Sequence, residues 1–213
     1  MPMRRIVALA GFAIGLAALL LQFSLTVPLR LSNGDSLAGA VIYYFTFFTI
    51  LTNLALVLVF LSVLIEAAWL VWLRSPVTRG AMVAAITLVM VFYHFVLAGL
   101  WAPQGWFKVA DVTLHYVTPS LYILWWLAIQ PHGMLRFADI PAMLAPPMIY
   151  LVYAMIRGAI ATEYPYPILE AHKLGYPQVG LNILFVLIGL SVLCLTAIGV
   201  DRLLGRGKAT ALP

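Results

Sequence analysis

Apolar stretches of about twenty residues recur along this chain with only short polar gaps between them, and this pattern limits its fold more than any other feature. The runs 6–25 and 179–200 contain no charged residue at all. One helix needs about twenty such residues to cross the hydrocarbon core of a bilayer. The runs show no strict alternation, so they do not read as strands of a membrane barrel. Charged residues make up 9% of the chain, where a soluble domain carries about 25%. A water-facing surface cannot be built from so few, and mean hydropathy stands at +1.06. In lipid every backbone polar group must find its partner inside the protein. The expected fold is therefore all-α, a polytopic bundle of six transmembrane helices.

The expected spans are 6–25, 40–65, 81–101, 112–129, 140–160 and 179–200, in a single domain covering 1–213. Arg4 and Arg5 precede the first run as they would in a signal peptide, but no A-x-A-like cleavage site follows. That run is expected to stay as a helix. Asn33-Gly34-Asp35 marks a turn, and the stretch around Glu66, Trp69 and Trp72 is expected at the interface. Arg74 to Gly80 reads as a short basic loop, and Pro146-Pro147 as a kink in the fifth span. Across six spans, one side carries Arg4, Arg5, Arg74, Arg79, Arg136, Arg202, Arg206 and Lys208; the other carries Arg30, Lys108, Arg157 and Lys173. Eight against four places both termini in the cytosol. The net charge of +5 is scattered over loops, so no nucleic-acid partner is expected. The lone Cys194 gives no disulfide framework, and no metal or cofactor is expected.

With that orientation, polar side chains from four spans reach the outer half of the bundle. Thr46, Thr49 and Asn53 share one helical face; Tyr93 and His94 approach from the third span, and His115 and Thr118 from the fourth. Tyr150, Tyr153 and Arg157 approach from the fifth. Each also has a plain structural reading. Threonine in a membrane helix often bonds its own backbone, Asn53 can glue helices together, and Arg157 can snorkel to headgroups. His132 and His172 read as solvated loop residues.

The run Tyr44-Phe45-Thr46-Phe47-Phe48-Thr49-Ile50-Leu51-Thr52-Asn53 resembles the threonine-bearing second helix of the androgen-induced membrane proteins. That family includes the androgen-dependent regulator of tissue factor pathway inhibitor. His115 with Pro119 is similar to the family's histidine helix. The stretch from Tyr150 to Arg157, followed by Tyr166-Pro167-Ile168-Leu169-Glu170, is similar to its fifth helix and next loop. The resemblance implies six helices, cytosolic termini and hydrolysis of fatty acid esters of hydroxy fatty acids, with membrane lipids as partners. By position it implies Thr46 as nucleophile and His115 as base. Asn53 stands where the animal proteins tend to have a longer amide, and the proline after His115 is one residue closer. Composition and compact loops suggest a bacterial member, set in the inner (cell) membrane.

The chemistry is sensible in itself, because a threonine hydroxyl needs a neighbouring base and imidazole suits that role near neutrality. Asp111, four residues before His115, is the expected orienting group. Asn53, Tyr93, His94 and Arg157 are candidates for holding the substrate or its oxyanion. Thr46, Asn53, His94, His115 and Arg157 are expected to line one cavity. Three other readings compete. His94 and His115 as paired haem ligands make one. A small transporter is another, though intramembrane acids are scarce. The third is a non-catalytic scaffold or binding protein locked by its polar layer.

Overall fold

A computed structural model describes residues 3–209 of the chain, with side chains through Arg206; Lys208 of the basic count has its side chain outside the described residues. The described chain is 84% helical and has no strand. In order it forms α1 (Met3–Ser32), α2 (Leu37–Tyr44), α3 (Phe48–Leu64), α4 (Pro76–Phe92), α5 (Gly105–Val112), α6 (Thr118–Ile129), α7 (Ile140–Ala161), α8 (Ala171–Leu174) and α9 (Tyr176–Ala209). Five helical stretches are long and apolar enough to cross a membrane: Met3–Ser32, Pro76–Leu97, Gly105–Ile129, Phe137–Ala161 and Tyr176–Arg206. A sixth crossing exists if α2 and α3 count as one span, and these two are bent by 74° at the break between them. The expected second span, 40–65, is therefore not one continuous helix. Helix α7, by contrast, runs unbroken through Pro146 and Pro147.

Small residues set the helix packing. Gly11 and Gly15, four apart on α1, press against Phe60 and Val57 of α3; a Cβ at Gly11 would stand 2.5 Å from the Phe60 ring. Lipid supplies no hydrophobic drive between helices, so close backbone approach and dispersion hold such a pair. Phe60 meets both Tyr122 and Trp125 edge-on at the centre of the bundle, with Leu56, Ile86, Met143 and Ile198 around them. Large apolar side chains such as Phe95, Ile160 and Phe185 project outward. In lipid that is their favourable side.

One end of the bundle gathers the start of α1, the end of α3 and the end of α9. Arg5 Nη2 donates to the Leu64 carbonyl at 2.9 Å, and Arg74 Nη2 donates to the Ile65 carbonyl at 2.8 Å. The 74–80 stretch is not a loop, since Ser75 caps α4 by accepting from the Thr78 amide and Pro76 fills its first turn. Arg79 is consequently buried, bonded to Gln130 and lying over the Trp125 ring. His132 is also buried rather than solvated. Its Nδ1 lies 3.2 Å from Asp201 Oδ1 and its Nε2 lies 3.1 Å from the Leu127 carbonyl. Asp201 Oδ2 accepts from the Leu135 amide at 2.8 Å. Gly133, at φ +87°, lets this turn sit on Gly205, where a Cβ would stand 2.5 Å from the Gly133 Cα.

Asp201 thus fastens the end of α9 to the 130–136 turn. Asp201→Ala strands a buried imidazole and a buried amide together, and is expected to destabilise the protein by about 3 kcal/mol. Thermal unfolding in detergent checks it, and an unchanged midpoint would show that the contact carries no stability.

Candidate active site

The break between α2 and α3 creates the site. Helix α2 ends at Tyr44, the 45–47 segment turns, and Phe47 has an extended ψ of 131° before α3 starts at Phe48. Thr46 sits inside the turn, fully buried, and its hydroxyl donates to the Ile42 carbonyl at 2.8 Å. Its own carbonyl accepts from the Tyr150 hydroxyl at 3.0 Å. Both groups of Thr46 are therefore spent on closing the end of α2. Thr49 is placed differently. It lies in the first turn of α3, where the chain four residues back is no longer helical, so no helical carbonyl waits for its hydroxyl.

The Thr49 hydroxyl instead meets His115, at 3.2 Å from Nε2. His115 Nδ1 faces two acceptors, the Asp111 carbonyl at 2.9 Å and Asp111 Oδ1 at 3.2 Å. Two groups that can only accept place the proton on Nδ1, and in the neutral ring this leaves the Nε2 lone pair for the Thr49 hydroxyl. Tyr93 donates its hydroxyl to the other Asp111 oxygen, and its ring stacks on the imidazole at 3.8 Å with a 14° tilt. The resulting chain is hydroxyl, imidazole, carboxylate and phenol. Thr46 is not part of it.

Two π-helical turns aim these groups, Tyr93–Leu97 after α4 and Thr113–Val117 between α5 and α6. In the second, the Thr118 amide reaches back five residues to the Thr113 carbonyl. Pro119 follows at once, and a proline both lacks an amide proton and crowds the preceding turn, which favours widening there. Nothing comparable in the sequence accounts for the first turn. Single π turns inside α-helices recur at functional sites.

Asn53 locks the two halves of the site together. Its Nδ2 donates to the Thr49 carbonyl at 2.9 Å and to the Leu114 carbonyl at 3.1 Å, and its Oδ1 accepts from the Thr118 hydroxyl. Both amide protons are committed, so Asn53 positions the site and has none left for a substrate. Arg157 lies in a separate cluster, where it donates to the Glu163 carbonyl at 2.6 Å and to Glu163 Oε2 at 3.0 Å. Arg30 bonds Asp35 and Glu163 in the same cluster. His94 is largely exposed, 3.1 Å from the Tyr116 hydroxyl. His94 and His115 thus each have a protein partner of their own. Among the described residues no group of three or more His, Cys, Asp or Glu is placed to hold a metal ion.

An apolar cavity of about 70 Å³ opens beside Thr49. Phe48, Leu88, Phe92, Leu151 and Leu187 line it together with Thr49, and Tyr150 and Tyr166 give it hydroxyls. None of Thr46, Asn53, His94, His115 or Arg157 lines it, which corrects the expected membership of the cavity. Tyr166 is not among the candidate site residues of the sequence analysis. It comes from the loop after α7, and its oxygen accepts from the Phe48 amide at 3.0 Å. Tyr166, Tyr150 and Thr49 all line the cavity. The only sequence signal for Tyr166 was an aromatic, proline-flanked loop, Tyr164-Pro165-Tyr166-Pro167, between two apolar spans.

No family of proteins, curated protein or solved structure matches the chain. The geometry of the site therefore stands by itself. If the Nδ1–H assignment holds, nitrogen NMR of histidine-labelled protein at neutral pH should show His115 as the Nδ1-protonated tautomer. Finding the proton on Nε2 would remove His115 as an acceptor for Thr49.

Proposed function

We propose that this protein is an intramembrane lipid-ester hydrolase in which Thr49 is the nucleophile, His115 the general base and Asp111 the group that orients it. The observation that carries the reading is the Thr49 hydroxyl, 3.2 Å from His115 Nε2, on a residue that also lines an apolar cavity. Fatty acid esters of hydroxy fatty acids are the substrates that the resemblance to the androgen-induced family favours. The same resemblance pointed to Thr46, and the hydroxyl geometry favours Thr49 three residues on.

In the first step, Thr49 Oγ1 attacks the ester carbonyl carbon while its proton passes to His115 Nε2. The carbonyl π electrons move to oxygen, forming a tetrahedral oxyanion. Its collapse breaks the ester C–O bond, and the imidazolium protonates the departing alcohol. Water then attacks the acyl-threonine, giving its proton to His115, and the second collapse releases a fatty acid and restores Thr49. Asp111 stabilises the imidazolium that appears in both halves. Tyr93 keeps the ring and the carboxylate in line.

Thr49→Ala and His115→Ala should each lower hydrolysis of a fatty acid ester of a hydroxy fatty acid by about 10³-fold or more, with the double variant little worse than either single. Thr46→Val, which removes only a bond to the Ile42 carbonyl, should keep activity within about a few-fold at a cost near 0.6 kcal/mol. If Thr49→Ala retains the wild-type rate in folded protein, the reading is wrong. The eight-to-four distribution of Lys and Arg further supports both termini in the cytosol of a bacterial cell, with the protein in its inner membrane. Reporter fusions at each terminus test this, and activity confined to the periplasmic side would reverse the orientation.

A further inference from the structure

The triad accounts for the attack but leaves the developing oxyanion without a partner: Asn53 and Tyr93 have their polar hydrogens engaged, and Arg157 lies in the Glu163 cluster and does not line the cavity. One other hydroxyl stands at the nucleophile. Tyr166 hangs over the first turn of α3, and its phenol oxygen accepts the amide proton of Phe48, the residue before Thr49, at 3.0 Å. Helix α3 has no side-chain cap of its own. Tyr166 fills that role from a loop more than a hundred residues away.

We infer that Tyr166 is a catalytic residue of this site, its hydroxyl donating to the carbonyl oxygen of the bound ester as negative charge develops there. The inference rests on Thr49 being the nucleophile. Its warrant is directional. An oxygen that accepts from a backbone amide has its own proton left to give, and accepting that bond makes the proton a better donor. The phenol lines the apolar cavity from which an acyl group would reach Thr49, so its proton has the substrate carbonyl within range. Neighbouring aromatic rings fix it there: Phe47 and Phe92 each meet the Tyr166 ring edge-on, with centroids 6.2 Å apart. Burial pushes the phenol above its ordinary range, which keeps it protonated at neutral pH. The Tyr150 hydroxyl, committed to the Thr46 carbonyl at 3.0 Å, holds the turn beneath it.

When Thr49 Oγ1 bonds to the carbonyl carbon, the π pair moves to an oxygen that Tyr166 bonds without surrendering its proton. On collapse the pair returns, the ester bond breaks, and Tyr166 is unchanged. No further reactant is required. Donors of this kind act in a low-dielectric, preorganised site, and losing one costs about 10²–10³-fold in kcat.

Tyr166→Phe keeps the ring and its packing while removing the oxygen. The test measures kcat, KM, thermal midpoint and affinity for a long-chain trifluoromethyl ketone, which forms the same oxyanion on Thr49. Expected is a fall of about 10²–10³-fold in kcat with KM little changed, and a parallel loss of ketone affinity. A helix cap with no catalytic part would instead lower the midpoint and leave kcat and ketone binding within about three-fold, which overturns the inference. Thr49→Ala, run beside it, separates the two claims. An inactive Thr49→Ala with a fully active Tyr166→Phe removes only the role of Tyr166; an active Thr49→Ala removes both.

Discussion

A helix broken inside a bilayer exposes backbone groups that water cannot reach, and the rest of this site follows from how the break at 45–47 is mended. The last turn of α2 offers the Ile42 carbonyl, which takes the Thr46 hydroxyl. The turn offers the Thr46 carbonyl, which takes the Tyr150 hydroxyl from α7. The first turn of α3 offers the Phe48 amide, which takes the Tyr166 oxygen from the following loop. Each repair recruits a distant element. The break therefore draws α7 and the loop after it onto the N-terminus of α3, where the cavity forms.

The opposite wall is held by a second backbone irregularity. A regular helix through 113–117 would carry its hydrogen-bond ladder straight past His115. The π turn widens it, and carbonyls of that stretch take side chains: Asp111 takes His115 Nδ1, and Leu114 takes Asn53. Asn53 then bonds to the Thr49 carbonyl, so one amide side chain joins the turn that carries His115 to the turn that carries Thr49. Paired in this way, Asn53, Thr118, Asp111 and Tyr93 are affordable at membrane depth, whereas any of them alone would cost several kcal/mol.

Much of this was legible in the sequence, and the limit can be located. Hydropathy gave the helices, because the bilayer imposes a length on each crossing. The i, i+4 spacing of Asp111 and His115 made their pairing readable, since such a pair meets wherever the segment is helical or close to it. The choice between Thr46 and Thr49 was not readable. Both follow a phenylalanine, both sit on one face of an assumed continuous helix, and no glycine or proline announces the break between them. Likewise, Arg79 and His132 looked like loop residues because their burial depends on chain that folds back from α6 and α9. Tyr166 lay in a loop, and loops reveal their tertiary contacts least of all.

The break also explains why one threonine and not the other is free for chemistry. Hydroxyls in this bundle mostly return to their own helix: Ser62 bonds Val59, Thr113 bonds Val109, Ser191 bonds Leu187 and Thr196 bonds Val192. Thr46 follows the same habit with Ile42. That bond is the default for a threonine in lipid, because the helical carbonyl one turn back is always within reach. Thr49 escapes it because the chain one turn back has left the helix. Its hydroxyl must look outward, and what it finds is an imidazole nitrogen. A continuous α2–α3 helix would return Thr49 to the Phe45 carbonyl and take the hydroxyl away from His115. The 74° bend is thus what leaves the Thr49 hydroxyl free of its own helix and available to His115.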